Sequence, residues 1–350
     1  MKLKTILAEA VDLKASDIHI TVGTPIVLRV NGKLKNLDEN VLMPDETEEL
    51  VRELTTESQW QELNSKGEVD FSYSIPGLQR FRVNVYMQRN SYAAAIRLIN
   101  IKIPTLEELG LPPVVKDLTK KNSGIVLVTG PTGSGKSTTL ASMIDLINHT
   151  RDKHIVTLED PIEYLFKHNR SIVNQREVGT DTLNFSNALR ASLRQDPDII
   201  LVGEMRDHDT ISVALTAAET GHLVFSTLHT VGAAATINRV IDIFPPNQQE
   251  QIRFQLSMTL QAVISQQLIT RADGQGRVAA FEIMITTPAI RNMIRESKIH
   301  QLNNVIQTNQ SKGMQTMDDA LINLYRKGLI TKEDTLERCV DADYLKGMTS

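Results

Sequence analysis

The sequence predicts an α/β protein: a largely parallel sheet with helices on its faces, preceded by a smaller α+β domain. Three observations carry this. First, the run Gly130-Pro131-Thr132-Gly133-Ser134-Gly135-Lys136-Ser137 lies between an apolar stretch, Ile125 to Val128, and a helix-like stretch, Thr138 to Leu146. That is the strand–loop–helix setting of a phosphate-binding P-loop. Second, from about Val114 short apolar runs alternate with helical patterns, as strands of a parallel sheet do. Third, the first hundred residues mix helix and strand signals without that alternation.

Taken in order, Lys4 to Leu13 reads as an amphipathic helix, and Asp17–Val22 and Ile26–Val30 read as strands. Asn31-Gly32 signals a hairpin, because a two-residue type I′ turn needs positive φ at both positions. Pro44 to Leu54 reads as a helix with Asp45 and Glu46 in its first turn. Val69–Ile75, Arg80–Met87 and Tyr92–Ile99 read as strands. The segment 101–113, with Pro104, Gly110, Pro112 and Pro113, reads as a linker. The expected organisation is therefore a domain over 1–100, a linker over 101–113, an α/β core over 114–270 and a mostly helical region over 271–350.

Within the core, Ile125–Thr129, His154–Leu158, Ile199–Val202 and Leu223–Thr227 are the expected buried strands. Each runs into polar residues: the P-loop, Glu159-Asp160, Gly203-Glu204 and His229. Ligands of open α/β sheets sit at the carboxyl ends of the strands, so four such ends predict one site. Beyond Pro246 the chain is expected to be helical, with Ile252, Leu256, Leu260, Val263, Ile264 and Leu268 on one face. Thr287-Pro288 predicts an N-cap followed by Pro at the first helical position. Gly328 is placed to end the helix containing Leu321 and Leu324, and Thr331 with Asp334 to cap the next one.

Composition bounds the rest. The chain has 350 residues, 41% hydrophobic and 23% charged, with a formal net charge of −4. That balance suggests no broad nucleic-acid footprint. No apolar run reaches membrane-spanning length, so no direct membrane insertion is expected. The N-terminal residues do not read as a signal peptide. The single cysteine, Cys339, excludes an internal disulfide and a tetracysteine zinc site. Together these predict a cytoplasmic protein.

The chemistry follows from residue type and place. Glycines let backbone N–H groups close around a polyphosphate, and the following helix adds the positive end of its dipole. Gly130 to Thr138 would bind a polyphosphate, with Lys136 on the β- and γ-phosphates and Ser137 on Mg²⁺. Glu204, directly after a buried strand, can orient or deprotonate the attacking water. The Asp that commonly precedes it is Gly203 here, which leaves Mg²⁺ to Ser137, the phosphates and water, with Glu204 in an outer position. Glu159 and Glu163 can order waters around the metal or serve as the base. His229, at a strand's carboxyl end, can hydrogen-bond a γ-phosphate; His222, at the opposite end, reads equally as a functional or a structural histidine. Arg80, Arg82, Arg89 and Arg97 form either a solvated basic face or a nucleotide-contacting one.

These motifs resemble the secretion-ATPase superfamily and, within it, the PilT-type retraction ATPases of type IV pili. Residues 157–163 are similar to that family's Asp box, 201–207 to its Walker B segment, including the glycine, and 220–230 to its His box. Arg82 and Arg97 stand at places similar to its nucleotide-contacting arginines. The segment Ala289-Ile290-Arg291-Asn292-Met293-Ile294-Arg295-Glu296 resembles the family's AIRNLIRE motif, with Met293 in place of Leu. The resemblance implies a PAS-like N-terminal domain, a RecA-like core, a homohexameric ring and an ATP-driven motor. It also implies that segment 289–296 couples hydrolysis to retraction, and that the motor works peripherally at the inner membrane, reaching the pilus base through a membrane-embedded platform protein. Rival readings are an extension or type II secretion motor, which the absent zinc module disfavours, a nucleic-acid translocase, and a nucleotide-binding scaffold without turnover.

Overall fold

The computed structural model describes residues 2–30, 32–99 and 102–341. The chain divides after residue 101 into two compact units. The first comprises α1 (Leu3–Asp12), β1 (Asp17–Ile20), β2 (Val27–Val30), β3 (Lys33–Asn36), α2 (Pro44–Leu54), α3 (Glu57–Lys66), β4 (Glu68–Ile75), β5 (Gln79–Gln88) and β6 (Ser91–Leu98). Its strands form one antiparallel sheet in the order β3-β2-β1-β6-β5-β4. Alternation along β5 buries Phe81, Val83 and Val85 and turns Arg82 outward. The β2–β3 hairpin is present, with Val30 opposite Lys33 and Gly32 at φ 78°; Asn31 lies outside the described residues. Helix α3 was not among the expected elements. Its signals are a capping box between Thr56 and Gln59 and Gly67 at its C-terminus with φ 86°.

The second unit contains α4 (Val114–Leu118), β7 (Gly124–Thr129), α5 (Lys136–Thr150), β8 (His154–Glu159), β9 (Ile172–Glu177), α6 (Phe185–Ser192), β10 (Ile199–Val202), α7 (His208–Glu219), β11 (Leu223–Leu228), α8 (Ala233–Asp242), α9 (Pro246–Thr259), β12 (Leu260–Thr270), β13 (Arg277–Ile285), α10 (Pro288–Arg295), α11 (Leu302–Thr308), α12 (Met317–Arg326) and α13 (Lys332–Arg338). Its sheet has the order β13-β12-β7-β11-β10-β8-β9, parallel except for β13. The four expected strands are the contiguous set β7, β11, β10 and β8, so their carboxyl ends share one edge. Helix α5 packs on one face through Leu140, Met143, Ile144 and Ile147. Helices α6 to α11 cover the other.

The expected helical face running from Ile252 to Leu268 is corrected. Helix α9 stops at Thr259, and Leu260–Thr270 is a strand paired in parallel with β7. Both faces of β12 are buried: Ala262 and Ile264 enter one core, Val263 the other. A strand covered on both sides shows no period of two, so matches to a helical spacing arise within its apolar run. The region after 271 is likewise not helical at once, since β13 precedes α10. The caps are as expected: Thr287 accepts from Ile290 N–H, Thr331 from Asp334 N–H, and Gly328 follows α12 at φ 67°. Among the described residues no helix is long and apolar enough to cross a membrane.

Ile264 is wholly buried in β12. Ile264→Ala should lower stability by about 2–5 kcal/mol in urea unfolding, the range for such core truncations. The amides of Leu260–Thr270 should exchange as slowly as those of β7. Fast exchange there would contradict a central strand.

Candidate active site

The P-loop connects β7 to α5. Its first glycine, Gly130, has φ 140°, and a Cβ there would lie 2.2 Å from the Gln266 carbonyl oxygen of β12. Only glycine lets these backbones approach so closely. The Lys136 side chain folds back over the loop, and its Nζ donates to the carbonyls of Gly130 and Pro131, each at 2.9 Å. Burial pulls the Lys136 pKa below that of an ordinary lysine, while Glu204 and Glu163 act in the opposite direction.

Glu204 leaves the end of β10 under tight backbone control. Gly203 N–H donates to Leu158 O at 2.7 Å, Thr227 Oγ1 donates to Gly203 O at 2.6 Å, and Met205 N–H donates to Thr227 O at 3.1 Å. The strand exit is thus fixed to β8 on one side and β11 on the other. A Cβ at Gly203 would sit 3.1 Å from Leu158 O and 3.4 Å from the Glu159 Cα. A side chain there would require the neighbouring β8 backbone to give by a few tenths of an ångström. Glu204 Oε2 accepts from Arg206 Nε at 2.7 Å and lies 3.3 Å from His229 Nε2. His229 Nδ1 lies 3.5 Å from Thr132 Oγ1 of the P-loop. One row of polar groups, Thr132–His229–Glu204–Arg206, therefore crosses the carboxyl edge of the sheet.

Glu159 is buried at the end of β8. Its Oε1 accepts from Thr157 Oγ1 at 2.7 Å and Gln175 Nε2 at 3.1 Å, and its Oε2 from the Glu163 N–H at 3.4 Å. Burial pushes its pKa up to about 7 in spite of these donors. The Glu163 side chain is exposed at the rim. Glu159, Glu163, Glu204 and His229 line a cleft of about 200 Å³, open to solvent, together with Thr132, Gly133, Lys136, Ser137, Tyr164 and the apolar side chains of Leu140, Phe166 and Phe185. The structure thus brings together Lys136, Ser137, Glu159, Glu163, Glu204 and His229. His222 lies at the other end of β11, with Nδ1 3.0 Å from Ala217 O, and does not line the cleft.

Three residues that line the cleft or contact its residues carried no expected role. Tyr164 Oη lies 2.9 Å from Thr138 Oγ1, Arg206 pairs with Glu204, and Gln266 reaches the P-loop from β12. Tyr164 directly follows the segment 157–163 and Arg206 lies within the segment 201–207, which is a usable signal. Gln266 sat inside a run read as helix and gave none.

In the N-terminal unit, Arg82 and Arg97 are exposed and stand directly opposite each other on β5 and β6. Arg97 Nε pairs with Asp17 Oδ1 at 2.9 Å. Burial pushes the Asp17 carboxyl up, but the hydrogen bonds from Arg97 and Ser16 outweigh it and hold the pKa below the usual range. Arg80 shares the face of Arg82, and Arg89 lies on the β5–β6 turn at φ 50°.

Residues 289–296 form α10 and its C-cap. Ile290 and Ile294 are buried, Met293 packs beside them, and Ala289, Asn292, Arg295 and Glu296 are exposed. Arg291 Nη1 donates to the carbonyls of Ser257 and Met258 at 2.6 and 2.5 Å. A guanidinium thus satisfies last-turn carbonyls of α9, the favourable end of the dipole for a cation. None of these residues lines the cleft.

A P-loop on a parallel strand, with carboxylates and a histidine on the neighbouring strand ends, defines a P-loop ATPase. The family model for type II/IV secretion system proteins matches residues 1–337, and the chain belongs to that family. It is 51% identical over 338 residues to the type IV pilus retractation ATPase PilT of Pseudomonas aeruginosa, covering 97% of this chain and 98% of the relative. It is 48% identical to a twitching motility protein of Neisseria gonorrhoeae, covering 95% and 90%. A crystal structure of the pilus retraction motor PilT with bound ADP superposes with a TM-score of 0.93 at 52% identity, covering 99% of each chain.

The raised pKa of Glu159 has a consequence for stability. Between the ordinary value of 4.5 and about 7 the folded protein binds the extra proton. Stability therefore falls as pH rises through that window, by about 3 kcal/mol in all. Glu159→Gln should remove this loss, so its stability relative to wild type should rise between pH 5 and pH 8 in urea melts. A pH-independent difference would show that the carboxyl is not raised.

Proposed function

We propose that this chain is the ATP-hydrolysing motor that powers type IV pilus retraction. The observation that carries the chemistry is the row Thr132–His229–Glu204 beside the P-loop lysine. The loop residues Thr132 and Lys136 line one cleft with the Glu204 carboxylate, which supports a phosphate-binding and hydrolytic role. The observation that carries the biological role is the full-length likeness to retraction motors.

In this reading residues 130–138 bind the ATP phosphates. Lys136 exchanges its two loop carbonyls for phosphate oxygens, which the buried ammonium favours as stronger acceptors. Glu204 leaves Arg206 and orients or deprotonates the attacking water, and His229 hydrogen-bonds the γ-phosphate. Mg²⁺ fits the donors present: such ions keep most of their waters and take only one or two protein ligands besides phosphate, and the Ser137 hydroxyl lines the cleft. Bound there, it would neutralise charge on the phosphates; Glu204 and Glu159 would meet it through water. Glu163, at the rim, would add to that negative field. Arg82 and Arg97 would contact nucleotide, Arg97 after leaving Asp17. Helix α10, residues 289–296, would couple hydrolysis to retraction. The working assembly would be a homohexamer in the cytoplasm, peripheral to the inner membrane, engaging the pilus base through a membrane-embedded platform protein. Neither nucleic-acid binding nor direct membrane insertion belongs to this reading.

Two variants separate binding from chemistry. Lys136→Ala should abolish measurable ADP binding and turnover. Glu204→Gln should keep ADP affinity within about threefold while lowering ATP turnover about 10²-fold or more, the scale of a lost general base. Wild-type turnover in either variant would refute the assignment. Cells lacking the protein should carry more pili and fail to twitch; loss of pili would instead indicate an extension motor.

A further inference from the structure

Gln266 is a buried polar residue on β12, 2% exposed. Its neighbours Ala262 and Ile264 on the same face enter the core beneath α5. An amide there must find partners, since an unpaired buried polar group is costly. Both partners belong to the P-loop and the helix it feeds. Gln266 Nε2 donates to the Ser134 carbonyl, and Thr139 Oγ1 donates to Gln266 Oε1 at 2.8 Å. The Ser134 carbonyl can only accept, so the amide NH₂ must face it. The Thr139 hydroxyl then donates to the amide oxygen, so both ends of the amide are paired.

We propose that Gln266 is a positioning residue for nucleotide binding, holding the P-loop in its phosphate-receiving conformation. In a trans peptide the carbonyl and the following N–H point in opposite directions. With the Ser134 carbonyl turned onto Gln266, the Gly135 N–H is turned away from β12. Backbone N–H groups of this loop are what a P-loop offers to phosphate. Gly135 adopts φ 88°, and a Cβ there would lie 3.1 Å from Gln266 Nε2, so glycine and glutamine form one fitted contact. The arrangement also ties the loop to a strand that continues directly from α9, whose last-turn carbonyls hold Arg291. This inference rests on the P-loop being the ATP site.

The test compares ADP affinity by calorimetry and steady-state ATP turnover for wild type, Gln266→Leu, Thr139→Val and the double variant. Lys136→Ala serves as the binding-deficient control. Gln266→Leu should weaken ADP about tenfold and raise the KM for ATP by a similar factor, with kcat within about threefold. Thr139→Val should weaken ADP about threefold. The double variant should bind no more weakly than Gln266→Leu, because the hydroxyl acts only through the amide. A residue that merely supports folding would lower the active fraction and the melting temperature but leave KM and ADP affinity unchanged. A folded Gln266→Leu with wild-type ADP affinity overturns the inference. If Gln266→Leu does not fold, unchanged ADP affinity in Thr139→Val overturns it. Failure of the wild type itself to bind ADP would instead refute the ATP-site reading.

Discussion

A buried ammonium needs partners, and Lys136 finds them in the carbonyls of Gly130 and Pro131. That requirement organises the second unit. The lysine can fold back onto the loop only if the loop's backbone turns those carbonyls toward it, and the loop can do so only with glycine at positive φ. It can hold that shape only if something beneath it takes the Ser134 carbonyl. β12 supplies this, at a distance from Gly130 that excludes any side chain. The central sheet order β12-β7-β11-β10 thus matters chemically: the P-loop strand is flanked by the strand that props the loop and by the strand that carries His229.

The same economy governs the carboxylates. Glu204 is presented from a strand exit bound on both sides, and the glycine before it permits the close approach to β8. The carboxylate missing at Gly203 has a neighbour one strand over in Glu159, whose pKa burial raises to about 7. Two carboxyls at adjacent strand ends, one partly solvated and paired with Arg206, the other buried among neutral donors, have environments of opposite character.

Local signals made much of this legible. Strand ends with polar residues placed Lys136, Ser137, Glu159, Glu163, Glu204 and His229 at one edge, because parallel strands align their carboxyl ends. Caps at Thr287, Thr331 and Gly328 were legible because they depend on neighbours within four residues. The identity of Leu260–Thr270 was not. Its fate is decided by pairing with β7, more than a hundred residues away, and a doubly buried strand carries no alternation to reveal it. Gln266 was hidden for the same reason, since its role appears only once that strand is laid against the P-loop. The partners of Arg97 and Arg291 were equally non-local: Asp17 across a sheet, and the end of a preceding helix.

The central claim is that the P-loop is a preformed phosphate cradle whose lysine rests on the loop's own carbonyls. A high-resolution structure of this protein with ADP tests it most directly. The account predicts that the Lys136 Nζ leaves Gly130 O and Pro131 O for phosphate oxygens, while the Ser134 carbonyl stays on Gln266. Phosphates bound elsewhere, or Lys136 still on both carbonyls with nucleotide in the cleft, would contradict it.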